Sequence, residues 1–144
     1  MKPDFVFQIA NIAAILGWLI LAAAIVLKKP FWRDVIVGQV WPTAFSIGYA
    51  CLILFFWAKA EGGFDSLAHV QQLFTFPWAA LAGWVHYLAF DLFIGAHISK
   101  RVMEEGLPRL SLVVLLPLTF MFGPIGYLGF QLTRGAFRKV SAAA

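Results

Sequence analysis

Residues 5–27 read FVFQIANIAAILGWLILAAAIVL and are followed directly by Lys28 and Lys29. A spanning α-helix needs about 20 mostly apolar residues, because the hydrocarbon core of a bilayer is about 30 Å thick and a helix rises about 1.5 Å per residue. The two lysines end the run where polar headgroups begin. The stretch therefore predicts a transmembrane helix. A cleavable signal peptide is the less favoured interpretation, since the apolar run continues past Ala22–Ala24.

Three further apolar runs follow, at about residues 35–58, 78–98 and 108–132. The links between the first and second runs and between the third and fourth runs are short, and such links make neighbouring helices antiparallel. The sequence therefore predicts an all-α integral membrane bundle in a single domain, residues 1–144. Its four transmembrane helices would run up, down, up and down.

The composition agrees with a membrane environment. Of the 144 residues, 62% are hydrophobic and only 12% are charged, and the mean hydropathy is +0.84. Soluble domains carry about 25% charged residues, so a water-soluble enzyme, a disordered tail and a nucleic-acid module are excluded. The net charge of +4 comes from short basic groups at the ends of the apolar runs, as is typical of membrane flanks.

The charges leave the direction of insertion undecided for a four-helix bundle. Six of the eleven Lys and Arg residues fall on one side: Lys28, Lys29, Arg33, Lys100, Arg101 and Arg109. The other five fall on the opposite side: Lys2, Lys59, Arg134, Arg138 and Lys139. The positive-inside rule cannot separate six from five.

The longest link, residues 59–77, is too polar to span a membrane. Gly62 and Gly63 end the second helix, and Asp65 is a suitable N-cap for a new one. Leu67, Val70 and Phe74 then recur on one helical face. This pattern predicts a short amphipathic helix between helices 2 and 3, either at the membrane interface or as an ordered cap over the bundle.

Two ionisable side chains, His86 and Asp91, lie near the middle of the third run. The midpoint is close to Leu88, so both are within about 5 Å of the membrane midplane. An ionisable group at this depth is costly and indicates a functional site by default. An acid and an imidazole in an apolar medium both tend to be neutral, which suits proton transfer. The alternative is that these groups only link helices through hydrogen bonds.

Helix periodicity divides the third run into two stripes. His86 and Asp91 are about 140° apart around the axis, so they do not share a face. One stripe contains His86, Phe90, Phe93 and His97. The other contains Trp84, Tyr87, Asp91 and Gly95, and Tyr87 is placed to hydrogen-bond Asp91. For His97, near the helix end beside Lys100, an interfacial position is expected.

The fourth run contains features that bend helices or allow close packing. Pro117 and Pro124 interrupt its hydrogen-bond ladder, and Gly123, Gly126 and Gly129 recur every three residues. Tight helix packing is one interpretation. The other is a bent helix that opens a slot for a flat or rod-like ligand, bordered by aromatic residues that include Tyr127.

Several motifs resemble one known family. The string Trp84-x-His86-x-Leu88-x-x-Asp91-Leu92-Phe93, followed by Gly106-Leu107-Pro108 and by Phe122-Gly123-Pro124-Ile125-Gly126, is similar to the neoxanthin synthase-like (abscisic acid deficient four) membrane proteins. The resemblance is best from about residue 64 to residue 130. Plant members have a transit sequence, which is not evident here, so the chain resembles a bacterial member of the family. The expected location is the bacterial inner (cytoplasmic) membrane.

The resemblance implies a carotenoid epoxide isomerase activity without a cofactor. Opening an epoxide to an allenic alcohol needs an acid at the epoxide oxygen and a base at the polyene, and the string assigns these roles to His86 and Asp91. The residues expected to bind the substrate are aromatic or lie near the bend: Trp84, Tyr87, Phe90, Phe93, Pro124, Gly126 and Tyr127. No metal is expected, since the deep His and Asp are too few to ligate one.

Other functions remain open from the sequence. A non-catalytic subunit could hold a carotenoid, a quinone or a partner helix. A haem or metal protein and a proton or ion transporter are weaker alternatives, because His86 and His97 lie on one helix and no repeat of the site is visible. The expected partners are an apolar lipid or carotenoid, membrane lipids and a second copy of the chain in a homo-oligomer, but no nucleic acid.

Overall fold

The structure, a computed structural model, describes residues 2–143, with the side chains of residues 2–139. This part of the chain is all-helical. It contains six α-helices: α1 (Pro3–Val26), α2 (Trp41–Phe56), α3 (Leu67–Thr75), α4 (Pro77–Glu104), α5 (Leu112–Phe122) and α6 (Pro124–Ala143). A π-helical segment, Trp32–Val40, leads into α2, and a 3-10 turn, Arg109–Ser111, leads into α5.

The first three predicted spans are confirmed as helices long and apolar enough to cross a membrane. They are Pro3–Val26, Trp32–Lys59 and Pro77–Glu104. The second and third are longer than the sequence pattern indicates, because each helix continues into polar residues that lie beyond the apolar run. Short links set α1 and α2 antiparallel, and both pack against α4.

Helix α4 is the centre of the fold. Half of its most apolar window is buried, and Leu92, Ile98 and Val102 are fully buried. Small residues at Ala82, Ala89 and Ala96 bring the neighbouring helices close to it. At the start of α2, the Trp41 ring nitrogen donates a hydrogen bond to the Ala13 carbonyl at 2.8 Å, which joins α2 to α1.

Buried Arg33 links the start of the second span to the end of α4. Its guanidinium contacts both carboxylate oxygens of Asp34, at 2.6 and 2.9 Å, and the sulfur of Met103 at 2.7 Å. Arg33 is only 7% exposed. The π-helical turn places this pair inward, where the carboxylate balances the buried charge.

The predicted fourth span, residues 108–132, is not one helix, and this prediction is corrected. The run breaks at Gly123, which has a φ of +30°. Pro124 follows, and it has no N–H to continue the ladder of α5. With its preceding 3-10 turn, α5 covers only Arg109–Phe122, about 21 Å, which is too short to cross the hydrocarbon core.

Helices α5 and α6 instead form an antiparallel hairpin. A Cβ added at Gly126 would collide with Thr119, and one added at Gly129 would contact Leu115. Farther along, the Arg134 Nε atom lies 2.6 Å from a carboxylate oxygen of Glu105, which directly follows α4 in the link to α5. Residues on either side of Gly123 therefore remain in contact even where they are far apart in sequence, as expected for two antiparallel helices joined by a turn. The hairpin enters the bundle beside α4 and returns to the side where it began.

The link between the second span and α4 contains the predicted short helix, α3. Its N-cap is Ser66, whose hydroxyl accepts a hydrogen bond from the His69 backbone N–H at 3.2 Å, rather than the predicted Asp65. Asp65 lies one residue too early and contacts the His69 ring at 2.7 Å instead. Leu73 is buried against the bundle. Its position at a membrane interface stays a prediction.

Candidate functional site

Asp91 is buried in the middle of α4, with 5% of its surface exposed. One carboxylate oxygen, Oδ1, lies against the backbone of Gly123, where a Cβ would collide with it. The other, Oδ2, has no hydrogen-bond partner among the described residues. An unpartnered buried carboxylate is rare in folded proteins and requires an explanation.

Tyr87 lies one helical turn before Asp91 and binds the hairpin tip. Its hydroxyl contacts the carbonyl oxygens of Phe120 and Met121 at 3.3 and 3.0 Å. Pro124 cannot donate to the Phe120 carbonyl, as the residue four positions later normally would. The Tyr87 hydroxyl thus supplies a donor that the helix break removes.

Trp84 extends this site along α4. Its ring nitrogen donates a 2.8 Å hydrogen bond to the Asn11 side-chain oxygen in α1. Its ring lies 5.6 Å from that of Phe7 and 5.4 Å from that of Tyr87. We call Phe7, Trp84 and Tyr87 the aromatic ladder. Trp84 and Phe7 are 39% and 41% exposed, so the ladder presents ring surface to the outside of the bundle and ends next to Asp91.

The tip of the hairpin completes the site. Pro124 and Gly126 belong to the first turn of α6, and the Tyr127 backbone N–H donates to the Gly123 carbonyl at 3.2 Å. The Tyr127 hydroxyl accepts a 2.6 Å hydrogen bond from Gln131. Six of the nine predicted site residues are therefore on the ladder, at Asp91 or in the tip: Trp84, Tyr87, Asp91, Pro124, Gly126 and Tyr127. We call this group, with Phe7 and Gly123, the tip site.

The other three predicted residues, His86, Phe90 and Phe93, lie on a different face of α4. All three are exposed. The His86 ring lies 5.5 Å from the Tyr49 ring of α2 and 4.7 Å from the Phe90 ring. The structure does not bring His86 and Asp91 together, which agrees with their angular separation on the helix.

Two large apolar cavities on the described part of the bundle surface are not lined by any predicted site residue. The larger, of about 1030 Å³, lies between α1, α2 and α4 and includes Trp41, Phe45 and Trp78, with Lys59 as its only charged residue. The smaller, of about 420 Å³, lies between α1 and α5. Phe120 lines the smaller cavity, which therefore approaches the hairpin tip. No three His, Cys, Asp or Glu side chains within the described part of the chain are grouped to hold a metal ion.

Sequence reasoning missed the role of Gly123 and the larger cavity. The positive φ of Gly123 could have been suspected from the Gly-Pro pair, since this pair marks turns. No local sequence pattern predicts the cavity, because its walls come from three helices and depend on how these helices pack together.

A protein-family model matches most of the chain. The family described as ABA4-like, ABA DEFICIENT 4-like, matches residues 5–130. The match covers all three spans, the tip site and the first turns of α6. No curated protein and no solved structure matches the chain. The chain therefore belongs to the ABA DEFICIENT 4-like family.

Proposed function

We propose that this membrane protein binds a carotenoid or related isoprenoid lipid at the tip site and isomerises it by proton transfer through Asp91. The observation that carries the proposal is the buried Asp91 carboxyl with an unpartnered oxygen at the end of an exposed aromatic ladder. Family membership and the resemblance to neoxanthin synthase-like proteins support the choice of this substrate class. The setting we propose is a bacterial cytoplasmic membrane.

The reaction class is the opening of a polyene epoxide to an allenic alcohol. Protonated Asp91 gives its proton to the epoxide oxygen as the C–O bond breaks. The carboxylate that remains then accepts a proton from the polyene carbon, which forms the allene. The substrate and the product are isomers, so no electron carrier is required. Asp91 donates one proton and later accepts one, so it ends in its starting state. Both proton transfers are therefore assigned to Asp91, and none to His86.

The ladder would hold the polyene and stabilise its charge. A flat conjugated chain stacks on ring faces, and the face of Trp84 attracts a developing carbocation. The hydrogen bond from Trp84 to Asn11 fixes the orientation of the indole ring. Phe90 and Phe93, which were predicted to bind the substrate, lie outside this site.

Access to Asp91 requires the hairpin tip to move. Gly123 covers one carboxylate oxygen, and neither cavity is lined by Asp91. The Tyr87 hydroxyl is the only side-chain group among the described residues that hydrogen-bonds the carbonyls at the end of α5. The single hydroxyl proton is shared between these two carbonyls, and one neutral hydrogen bond contributes about 0.5–1.5 kcal/mol. A substrate that competes for the Tyr87 hydroxyl therefore weakens the attachment of the tip.

The test is conversion of an epoxycarotenoid by purified protein. Wild-type protein and the Asp91→Asn variant are incubated with the pigment in lipid nanodiscs, and products are separated by chromatography and identified by mass spectrometry. General acid–base catalysis contributes about 10²–10⁴-fold, so Asp91→Asn should lose at least about 100-fold in rate. His86→Gln is the matched control on the same helix and should retain conversion. Conversion by Asp91→Asn at the wild-type rate would refute the proposal.

A second candidate function is a non-catalytic pigment-, quinone- or partner-binding subunit. The larger cavity favours it, because a long apolar ligand could lie there without reaching Asp91. Gly48 lines this cavity, and no atom lies within 4 Å of a Cβ added to it. If binding alone is the function, Gly48→Leu should abolish co-purification of pigment, while Asp91→Asn should leave the bound pigment chemically unchanged and equally abundant.

A further inference from the structure

Four residues of α4 form an exposed strip that points away from Asp91. They are His86, Phe90, Phe93 and His97, which we call the α4 stripe. Residues of an α-helix are about 100° apart, so the four fall within a sector of about 60°. Phe90 and Phe93 are 52% and 48% exposed. The rest of α4 is largely covered by α1, α2 and the hairpin, so this stripe is its main open face.

The stripe contains polar groups that a bilayer does not satisfy. His86 lies about 7 Å from the midpoint of α4, and its ring makes no hydrogen bond to any described residue. The same holds for the hydroxyl of Tyr49, whose ring packs against that of His86. Lipid chains offer no donors or acceptors, so polar groups at this depth face another protein segment or a water-filled cavity. Neither cavity described above is lined by His86.

We propose that the α4 stripe is the interface with a second copy of this chain. In a parallel pair related by a two-fold axis along the membrane normal, each residue meets its own counterpart at the same depth. His86 then faces His86 and Tyr49 of the partner, and an imidazole both donates and accepts hydrogen bonds. The aromatic rings of Phe90 and Phe93 bury one another between these polar contacts.

The charged end of the stripe carries a balanced pair of charges. Lys100 and Glu104 continue the same sector of α4, are each 45% exposed, and approach within 3.8 Å inside one chain. In the two-fold pair, Lys100 lies at the depth of the other copy's Lys100 and one helical turn from its Glu104, and the ion pair within each chain offsets the like charges. A face with both charges and with self-pairing imidazoles fits its own copy better than it fits an apolar lipid. The inference does not depend on the proposed reaction, since the stripe faces away from the tip site.

Cysteine crosslinking in native membranes tests the interface. In a Cys51→Ser background, which removes the only native thiol, single cysteines replace Phe90 or Phe93. Leu19 of α1 and Leu54 of α2, 60% and 83% exposed, give matched control variants on other outward faces. Oxidation should produce a dimer of twice the chain mass about tenfold faster or more at the two stripe positions, because proximity raises the effective thiol concentration.

Two results would overturn the proposal. One is equal crosslinking at all four positions, and the other is a crosslinked product whose mass is not twice that of the chain. The variant His86→Leu adds a test of the imidazole, with its folding checked by circular dichroism. It should raise the dimer dissociation constant by about tenfold or more, which light scattering in detergent over a range of protein concentrations measures as a lower dimer fraction. An unchanged fraction would remove His86 from the interface.

Discussion

At the scale of single residues, the site depends on one pair, Asp91 and Gly123. A buried carboxyl could be suspected from the sequence, because the bilayer excludes acids and leaves few reasons for one at mid-depth. The partner could not be predicted. The Gly-Pro pair suggests a turn at Gly123, which has a φ of +30°, but the contact of that turn with Asp91 is tertiary and no local pattern records it.

The pair predicts that Gly123→Ala destabilises the protein by two separable effects. An alanine at this φ is strained by about 1–3 kcal/mol, and its Cβ would also collide with the Asp91 carboxyl. Combined with Asp91→Ala, only the strain should remain, so a double-mutant cycle should give a coupling free energy of about 0.5–3 kcal/mol. Thermal or denaturant unfolding in detergent measures each variant.

The control for this cycle is Gly135→Ala in α6. No atom lies within 4 Å of a Cβ added to Gly135, so alanine there should be neutral or stabilise α6 by up to about 1 kcal/mol. Strictly additive effects of Gly123→Ala and Asp91→Ala would show that the two residues do not touch.

At the scale of helices, the three spans could be predicted from the sequence. The hairpin that takes the place of the predicted fourth span could not. Run length and hydropathy define a spanning helix when nothing interrupts it. The last run is equally apolar, and a Pro-kinked span and a hairpin have the same composition. The distinguishing signal is tertiary: Gly126 packs on Thr119, and Arg134 returns to Glu105. The same ambiguity explains why the contact of the Tyr87 hydroxyl with the α5 carbonyls could not be predicted.

The base of the hairpin predicts a pH dependence. Glu105 contacts Arg101, Arg134 and Arg138 at 2.7, 2.6 and 3.3 Å. The hydrogen bond from Arg134 holds the pKa of Glu105 below its ordinary value of 4.5. Because the folded state binds this proton less tightly than the unfolded chain, Glu105 stabilises the fold above pH 4.5, and this contribution is lost as the pH falls through the lower folded pKa.

The measurement compares the thermal midpoint of wild type and Glu105→Gln between pH 7 and pH 3. The wild type should be more stable at pH 7, and the difference should disappear at low pH, where both side chains are neutral. Glu61→Gln is a suitable control, since Glu61 contacts Gln72 rather than an arginine. A difference that stays constant over the whole range would exclude the charge of Glu105 as its cause.

At the scale of the whole molecule, the hairpin changes the distribution of charge across the membrane. Because α6 returns to the side where α5 begins, Arg134, Arg138 and Lys139 lie on the side that already holds six cations. Nine of the eleven Lys and Arg residues then share one face, and only Lys2 and Lys59 lie on the other. With four spans, six Lys and Arg residues would lie on one side of the membrane and five on the other. The number of crossings, rather than the composition, therefore determines whether the charges favour one orientation. The positive-inside rule then predicts that the nine-cation face is the cytoplasmic one.

This orientation predicts that Lys2 and Lys139 lie on opposite sides of the membrane. In the Cys51→Ser background, a cysteine at position 2 should react with a membrane-impermeant maleimide in intact cells. A cysteine at position 139 should react only after the membrane is opened. Four complete spans would put both positions on the same side, so equal labelling of the two would contradict the hairpin. Reversed labelling would keep the hairpin and contradict only the direction given by the charges, because three crossings separate the two positions in either orientation.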